Sequence, residues 1–156
     1  MFRSTNKSLR KEFNKIKNCK EKEKYFENIS TIDHLRKMDP FEFEYYVANI
    51  FKKMGYKTEV TQGASDNGID IILKKDGKIS AVQVKRYSEN NNIGEPVIRD
   101  FFGSFSSRNI PNGFFVTTSF FTKAAKEWSK DQPIELIDAN GLIDMLNKTK
   151  SSIDID

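Results

Sequence analysis

The chain has 156 residues, 37 % hydrophobic and 31 % charged, with only 8 Gly and 4 Pro. That composition suits one folded domain and excludes low-complexity and collagen-like chains. No apolar run reaches the eighteen or so residues of a membrane span, and the N-terminus leads into charged residues, so neither membrane insertion nor secretion is expected. Cys19 is the only cysteine, which rules out an internal disulfide and makes a reducing, cytoplasmic setting the expectation. The net charge of +4 is unevenly spread: residues 1–38 hold eleven basic and five acidic side chains, leaving 15 against 17 for residues 39–156.

The sequence therefore divides into a basic N-terminal arm (1–38), a main domain (39–150) and a short C-terminal tail (151–156). In the arm, Leu9, Phe13 and Ile16, then Phe26 and Ile29, recur among Lys and Glu at a spacing that suits an amphipathic helix. Such an arm is either a solvated Lys-rich helix or an electrostatic contact for a polyanion. His34, the only histidine, lacks sequence partners and is read as a surface residue.

Asp39-Pro40-Phe41-Glu42 is a helix start: Asp39 as cap, Pro40 at the first position and Glu42 as the partner in a capping box. Phe43, Val47, Ile50, Phe51 and Met54 then form one apolar stripe, closed by Gly55. Glu44 falls at the edge of that stripe, either as a solvated boundary residue or as a site residue.

Three extended segments follow, at 56–61, 69–74 and 79–87. Asp76-Gly77 between the last two predicts a two-residue hairpin turn. The turn fixes the register: Lys75 opposite Lys78, Leu73 opposite Ser80, Ile71 opposite Val82 and, by extension, Asp70 opposite Gln83. With a period of two, Asp70, Gln83 and Lys85 share one face, and Ile69, Ile71, Leu73, Val82 and Val84 share the other. Burying that polar trio without a purpose would be costly.

Beyond the hairpin the pattern reads helix (95–107), strand (113–119), helix (122–129), strand (134–137) and helix (140–147). The later strands are apolar runs of the buried parallel type. The expected fold is α/β, a mixed sheet flanked by helices in the order α-β-β-β-α-β-α-β-α, and most of the 13 Phe are expected in its core.

A carboxylate, an amide oxygen, a neighbouring acid and a lysine, with no imidazole or thiolate, make a hard-ligand set suited to Mg²⁺, Mn²⁺ or Ca²⁺ rather than Zn²⁺. A divalent ion with water beside a lysine is what phosphodiester hydrolysis requires.

Gly68-Ile69-Asp70, Ala81-Val82-Gln83-Val84-Lys85-Arg86-Tyr87, Val116-Thr117-Thr118-Ser119-Phe120-Phe121-Thr122 and Leu136-Ile137-Asp138 together resemble the catalytic domain of Mrr-type restriction endonucleases. That is a branch of the PD-(D/E)xK nucleases with Gln in place of the usual acid, and the resemblance spans residues 39–147. It implies a restriction-endonuclease-like core and Mg²⁺-dependent cleavage of DNA, with Mn²⁺ as a substitute, in restriction and defence or in a mobile element. Asp70 and Gln83 are then metal ligands, Lys85 the catalytic lysine and Glu44 the additional acid of the site. Asp66 either assists the metal or forms an Asx turn. Arg86, Arg99 and Lys123 are phosphate-contact candidates whose ordinary reading is surface solvation. Cutting both strands makes a homodimer the expectation, with recognition supplied by the chain itself or by a separate specificity or activator subunit. A DNA-binding module of the same fold that does not cut, and a junction or repair nuclease, are the competing readings.

Overall fold

In the computed structural model, residues 20–21, 31–61, 68–87 and 90–151 are described. The helical reading of the arm around Leu9, Phe13, Ile16, Phe26 and Ile29 lies outside them, as do Cys19 and Asp66. Helix α1 covers residues 31–37 and α2 covers Pro40–Lys53. The strands are β1 (Lys57–Val60), β2 (Ile71–Lys75), β3 (Lys78–Lys85), β4 (Asn112–Thr117) and β5 (Ile134–Ile137). Helices α3 (Glu95–Ser106), α4 (Lys123–Ser129) and α5 (Ala139–Ser151) complete the order expected from the sequence. No described helix is long and apolar enough to cross a membrane.

The sheet runs β1-β2-β3-β4-β5, antiparallel across the first three strands and parallel across the last three. The hairpin register holds at Lys75–Lys78, Leu73–Ser80 and Ile71–Val82. Asp76 and Gly77 both take positive φ, 52° and 76°, as a tight turn between twisted strands demands.

One face of the sheet packs Ile71, Leu73, Val82, Val84 and Val116 against Phe43, Val47, Ile50 and Phe51 of α2 and against Leu142, Ile143 and Leu146 of α5. Ile32 and Leu35 of α1 belong to the same core, so the last turns of the basic segment are built into the body. The other face packs Ala81 and Phe115 against Ile98, Phe101 and Phe105 of α3 and Ala125 of α4. The expectation that most Phe are core residues holds for these rings, whereas Phe41 is 64 % exposed.

Two local expectations change. Asp39 Oδ1 accepts from Phe41 N–H at 2.9 Å, but Glu42 is exposed and has no reciprocal bond, so the capping box is only half formed. Met54 is the C-cap of α2 and 39 % exposed, because the helix unwinds before the apolar stripe brings it back to the core.

Candidate active site

The site lies where β2 begins and β3 ends. Regular alternation would put Ile69 on the α2 face beside Ile71; instead Ile69 packs with Ala81, Ile93 and Phe101 on the α3 face. The cause is a break in the ladder at Asp70. Its N–H donates to Val82 C=O at 2.8 Å, and its own C=O accepts from Thr61 N–H at 2.9 Å. The Thr61 hydroxyl donates to Ile69 C=O at 2.6 Å, with Asp70 C=O at 3.1 Å. Asp70 is therefore not a ladder partner of Gln83. Its carboxylate accepts from Val84 N–H at 2.7 Å, taking the place of a backbone carbonyl at the end of the hairpin.

This position brings Asp70 to groups from two layers. Burial pushes the Asp70 carboxyl above its ordinary range, and the Val84 N–H and the Lys85 charge pull it partly back. Glu44, on the partly buried edge of α2, is raised from 4.5 to about 7, first by desolvation and then by the negative charge of Asp70. Asp70 is thus close enough to feel the charge of Lys85 and to have its own charge felt at Glu44.

Gln83 lies on the α3 side. Gly68, at φ +64°, passes so close that a Cβ there would sit 3.2 Å from Ser104 Oγ and 3.9 Å from Gln83 Nε2. The chain entering Asp70 is thereby threaded between Gln83 and α3, which suits glycine on both counts.

Among the described residues no three His, Cys, Asp or Glu side chains converge. The oxygen donors that interact here are the carboxylates of Asp70 and Glu44, while Gln83 stands on the α3 side of the chain entering Asp70. Two carboxylates in a partly desolvated place are of the kind that a hard divalent cation takes.

A second group of residues holds the end of β3; of its members sequence reasoning gave a role only to Arg86, as a phosphate-contact candidate. Thr118 Oγ1 accepts from Tyr87 N–H at 3.0 Å and donates to Tyr87 C=O at 2.7 Å, imitating a strand partner just beyond Lys85. Arg36 of α1 donates through Nε and Nη2 to Thr118 C=O at 3.1 and 2.9 Å. Arg86 Nη1 donates to Arg36 C=O, and Arg86 Nε is buried without a hydrogen-bond partner. Arg86 is thus turned toward α1. Thr117, Thr118 and Ser119 are fully buried, and a polar triplet ending an apolar strand was the visible signal for such a clamp.

The other phosphate candidates are exposed. Arg99 pairs with Glu95 at 2.7 Å and lies over the Trp128 ring at 5.5 Å, while Lys123 opens α4. His34 is exposed, as expected.

The Mrr_cat restriction endonuclease family model matches residues 35–146. The type IV methyl-directed restriction enzyme EcoKMrr of Escherichia coli (strain K12) is 27 % identical over 125 residues, covering 74 % of this chain and 40 % of the relative. Among solved structures, the DNA modification-dependent restriction endonuclease AspBHI superposes with a TM-score of 0.67 at 21 % identity, over 80 % of this chain and 36 % of that one. The MspJI restriction endonuclease, solved in complex with a 27-mer oligonucleotide, gives 0.61 at 17 % identity, over 76 % of this chain and 30 % of that one. The chain spans well under half the length of each of these relatives, and the structural likenesses establish the restriction-endonuclease fold. The family match, which spans α2 through most of α5 and so the whole five-stranded sheet, makes this chain a member of the Mrr_cat restriction endonuclease family.

Proposed function

We propose that this chain is the phosphodiester-hydrolysing unit of a DNA endonuclease acting in restriction or defence. In this reading Glu44, Asp70 and Gln83 hold Mg²⁺, with Mn²⁺ as a substitute, and Lys85 is the catalytic lysine. The observation that carries it is the break in the ladder at Asp70, which turns its carboxylate onto the Val84 N–H at 2.7 Å at the end of the hairpin. Glu44 of α2 and Lys85 of β3 are both close enough to exchange electrostatic influence with that carboxylate, the company a hard divalent cation takes.

The divalent ion supplies Lewis acidity toward the phosphoryl group and acidifies water. The chain's own residues do the positioning. The Val84 N–H fixes one oxygen of Asp70. Lys85 adds a positive charge beside that carboxylate, where it can orient the attacking water and stabilise charge on the phosphate. Gln83, being neutral, would hold the metal through its side-chain oxygen and would leave Lys85 less tied to a competing negative charge. Duplex DNA is the substrate in this reading. A homodimer would address both strands, and specificity would come from the chain itself or from a separate subunit in the cytoplasm.

The test is supercoiled-plasmid nicking with Mg²⁺, Mn²⁺ or EDTA, comparing the natural chain with Lys85→Ala and Asp70→Ala. Metal-dependent nicking that both substitutions abolish is the expected result. Tight DNA binding without cutting in any metal would overturn the proposal in favour of a non-cutting binding module.

A further inference from the structure

Residues 39–156 carry a net charge of −2, yet their positive charge is concentrated at the hairpin end of the sheet. Lys52 and Lys53 end α2, Lys57 opens β1, and Lys74, Lys75 and Lys78 flank the Asp76-Gly77 turn. Against these six lysines stand only Glu59 and Asp76, so this end carries +4 and the remainder of the segment −6.

The register makes the crowding sharper. Lys57 lies directly opposite Lys74, and Lys75 directly opposite Lys78. Like charges in cross-strand pairs destabilise a sheet, so two such pairs in adjacent ladders are a local cost. Lys75 has a structural use: its Nζ donates to Met54 C=O at 3.0 Å at the end of α2 and lies 4.7 Å from the centre of the Tyr56 ring. Lys52, Lys53, Lys57, Lys74 and Lys78 are exposed and form no ion pair with a described residue.

Between them is an open cleft of about 320 Å³, lined by Gly55, Lys57, Lys74, Lys75, Asp76 and Gly77. Gly55 and Gly77 both have positive φ and no side chain to fill it, and Lys75 stands at its wall with its Nζ bonded to Met54 C=O. The cleft is separate from the candidate active site. From Asp70 to Lys75 the chain advances five residues, roughly 17 Å at strand rise.

We propose that this lysine-lined hairpin end is a second polyanion-binding surface, which takes the phosphodiester backbone of nucleic acid away from the candidate active site. Lysines act as point charges, so the contact is independent of base sequence and strongly dependent on salt. It anchors a duplex without taking part in cleavage and does not depend on Asp70 or Lys85.

The experiment measures binding of a short duplex oligonucleotide by fluorescence anisotropy, in EDTA, across a salt series. It compares the full natural chain with Lys57→Gln/Lys74→Gln/Lys78→Gln and with a control, Lys126→Gln/Lys130→Gln/Lys150→Gln, which removes the same charge elsewhere. The hairpin variant is expected to bind about tenfold or more weakly at low salt, with the slope of log K against log salt shallower by roughly 2 to 3 than in the control. Its thermal midpoint should stay level or rise, because two like-charge pairs are relieved, which separates lost binding from lost folding. Equal slopes in the two variants would overturn the proposal. So would loss of binding to vesicles of anionic phospholipid with the DNA slope intact, which would make the surface a membrane contact. Because EDTA prevents cutting, neither result depends on whether the chain is an active nuclease.

Discussion

Replacing Glu44 with Gln tests the geometry of the site without asking the protein to cut anything. In the folded chain the Glu44 carboxyl holds its proton up to about 7, against 4.5 in its ordinary state. Between those values the folded state binds more protons than the unfolded one, so this group's contribution to stability falls as pH rises through the window. At 1.36 kcal/mol per pH unit the gap corresponds to roughly 3 kcal/mol, an upper bound. Glu44 is only partly buried, and solvent screening reduces the expected effect to about 1 kcal/mol. Near pH 4, below both values, a protonated Glu44 and a Gln are close to isosteric, and the two proteins should have nearly equal stability. By about pH 8 the Gln variant should be more stable by about 1 kcal/mol, or roughly 2 to 4 °C in Tm for a chain of this size. Urea unfolding in EDTA at several pH values measures the difference, and adding Mg²⁺ should stabilise the natural protein more than the variant. A stability difference that stays constant from about pH 4 to pH 8 would refute the reasoning, since it would mean that Glu44 carries no extra repulsion in the fold.

Two further substitutions address the scaffold. A Cβ on Gly113 would lie 2.8 Å from Phe101 Cε2 and Cζ and from Phe105 Cε1, ring atoms of fully buried side chains. Gly113→Ala should therefore cost about 1–3 kcal/mol in urea unfolding, and a neutral result would show that those rings can move aside. Thr118→Val keeps the shape but removes both hydrogen bonds to Tyr87, and should cost about 1–3 kcal/mol. Hydrogen exchange at the Tyr87 amide should accelerate in that variant; unchanged protection would show that another group holds the end of β3.

The parts of the fold that sequence reveals are those governed by short-range rules. Asp76-Gly77 permits only a tight hairpin, and from that turn the register of Ile71 with Val82 and Leu73 with Ser80 follows by counting. The placement of Glu44 follows from helical angle alone, because an edge position on α2 is a short step from the end of the sheet. Counting fails at Asp70, where Thr61 draws the chain out of the ladder and Ile69 crosses to the other face. Period-two reasoning assumes a strand that continues, and nothing local to Ile69 or Asp70 announces that it stops. Arg86 is similar: beside Lys85 in a basic stretch it reads as a phosphate contact, but its partner is a carbonyl 50 residues away. The spacing of Ile32 and Leu35 was available as a sign that the basic segment's end is core, though the charges around it masked the pattern.

The clamp around Thr118 also bears on the order in which the molecule assembles. The Asp70 carboxylate meets Val84 N–H across only 14 residues, within a hairpin that closes on the microsecond scale. Arg36 meets Thr118 across 82 residues, a contact whose loop entropy falls due only when the rest of the sheet is already in place. The corner around Asp70 is therefore expected to be an early feature of folding, with α1 and the end of β3 the last to be secured. Substitutions in the hairpin should slow folding, and Arg36→Ala should mainly speed unfolding; the reverse pattern in the two kinetic arms would contradict that order. A chain built this way has Asp70 anchored before the segment that braces Tyr87, just beyond Lys85, arrives, so completion of the site coincides with completion of the fold.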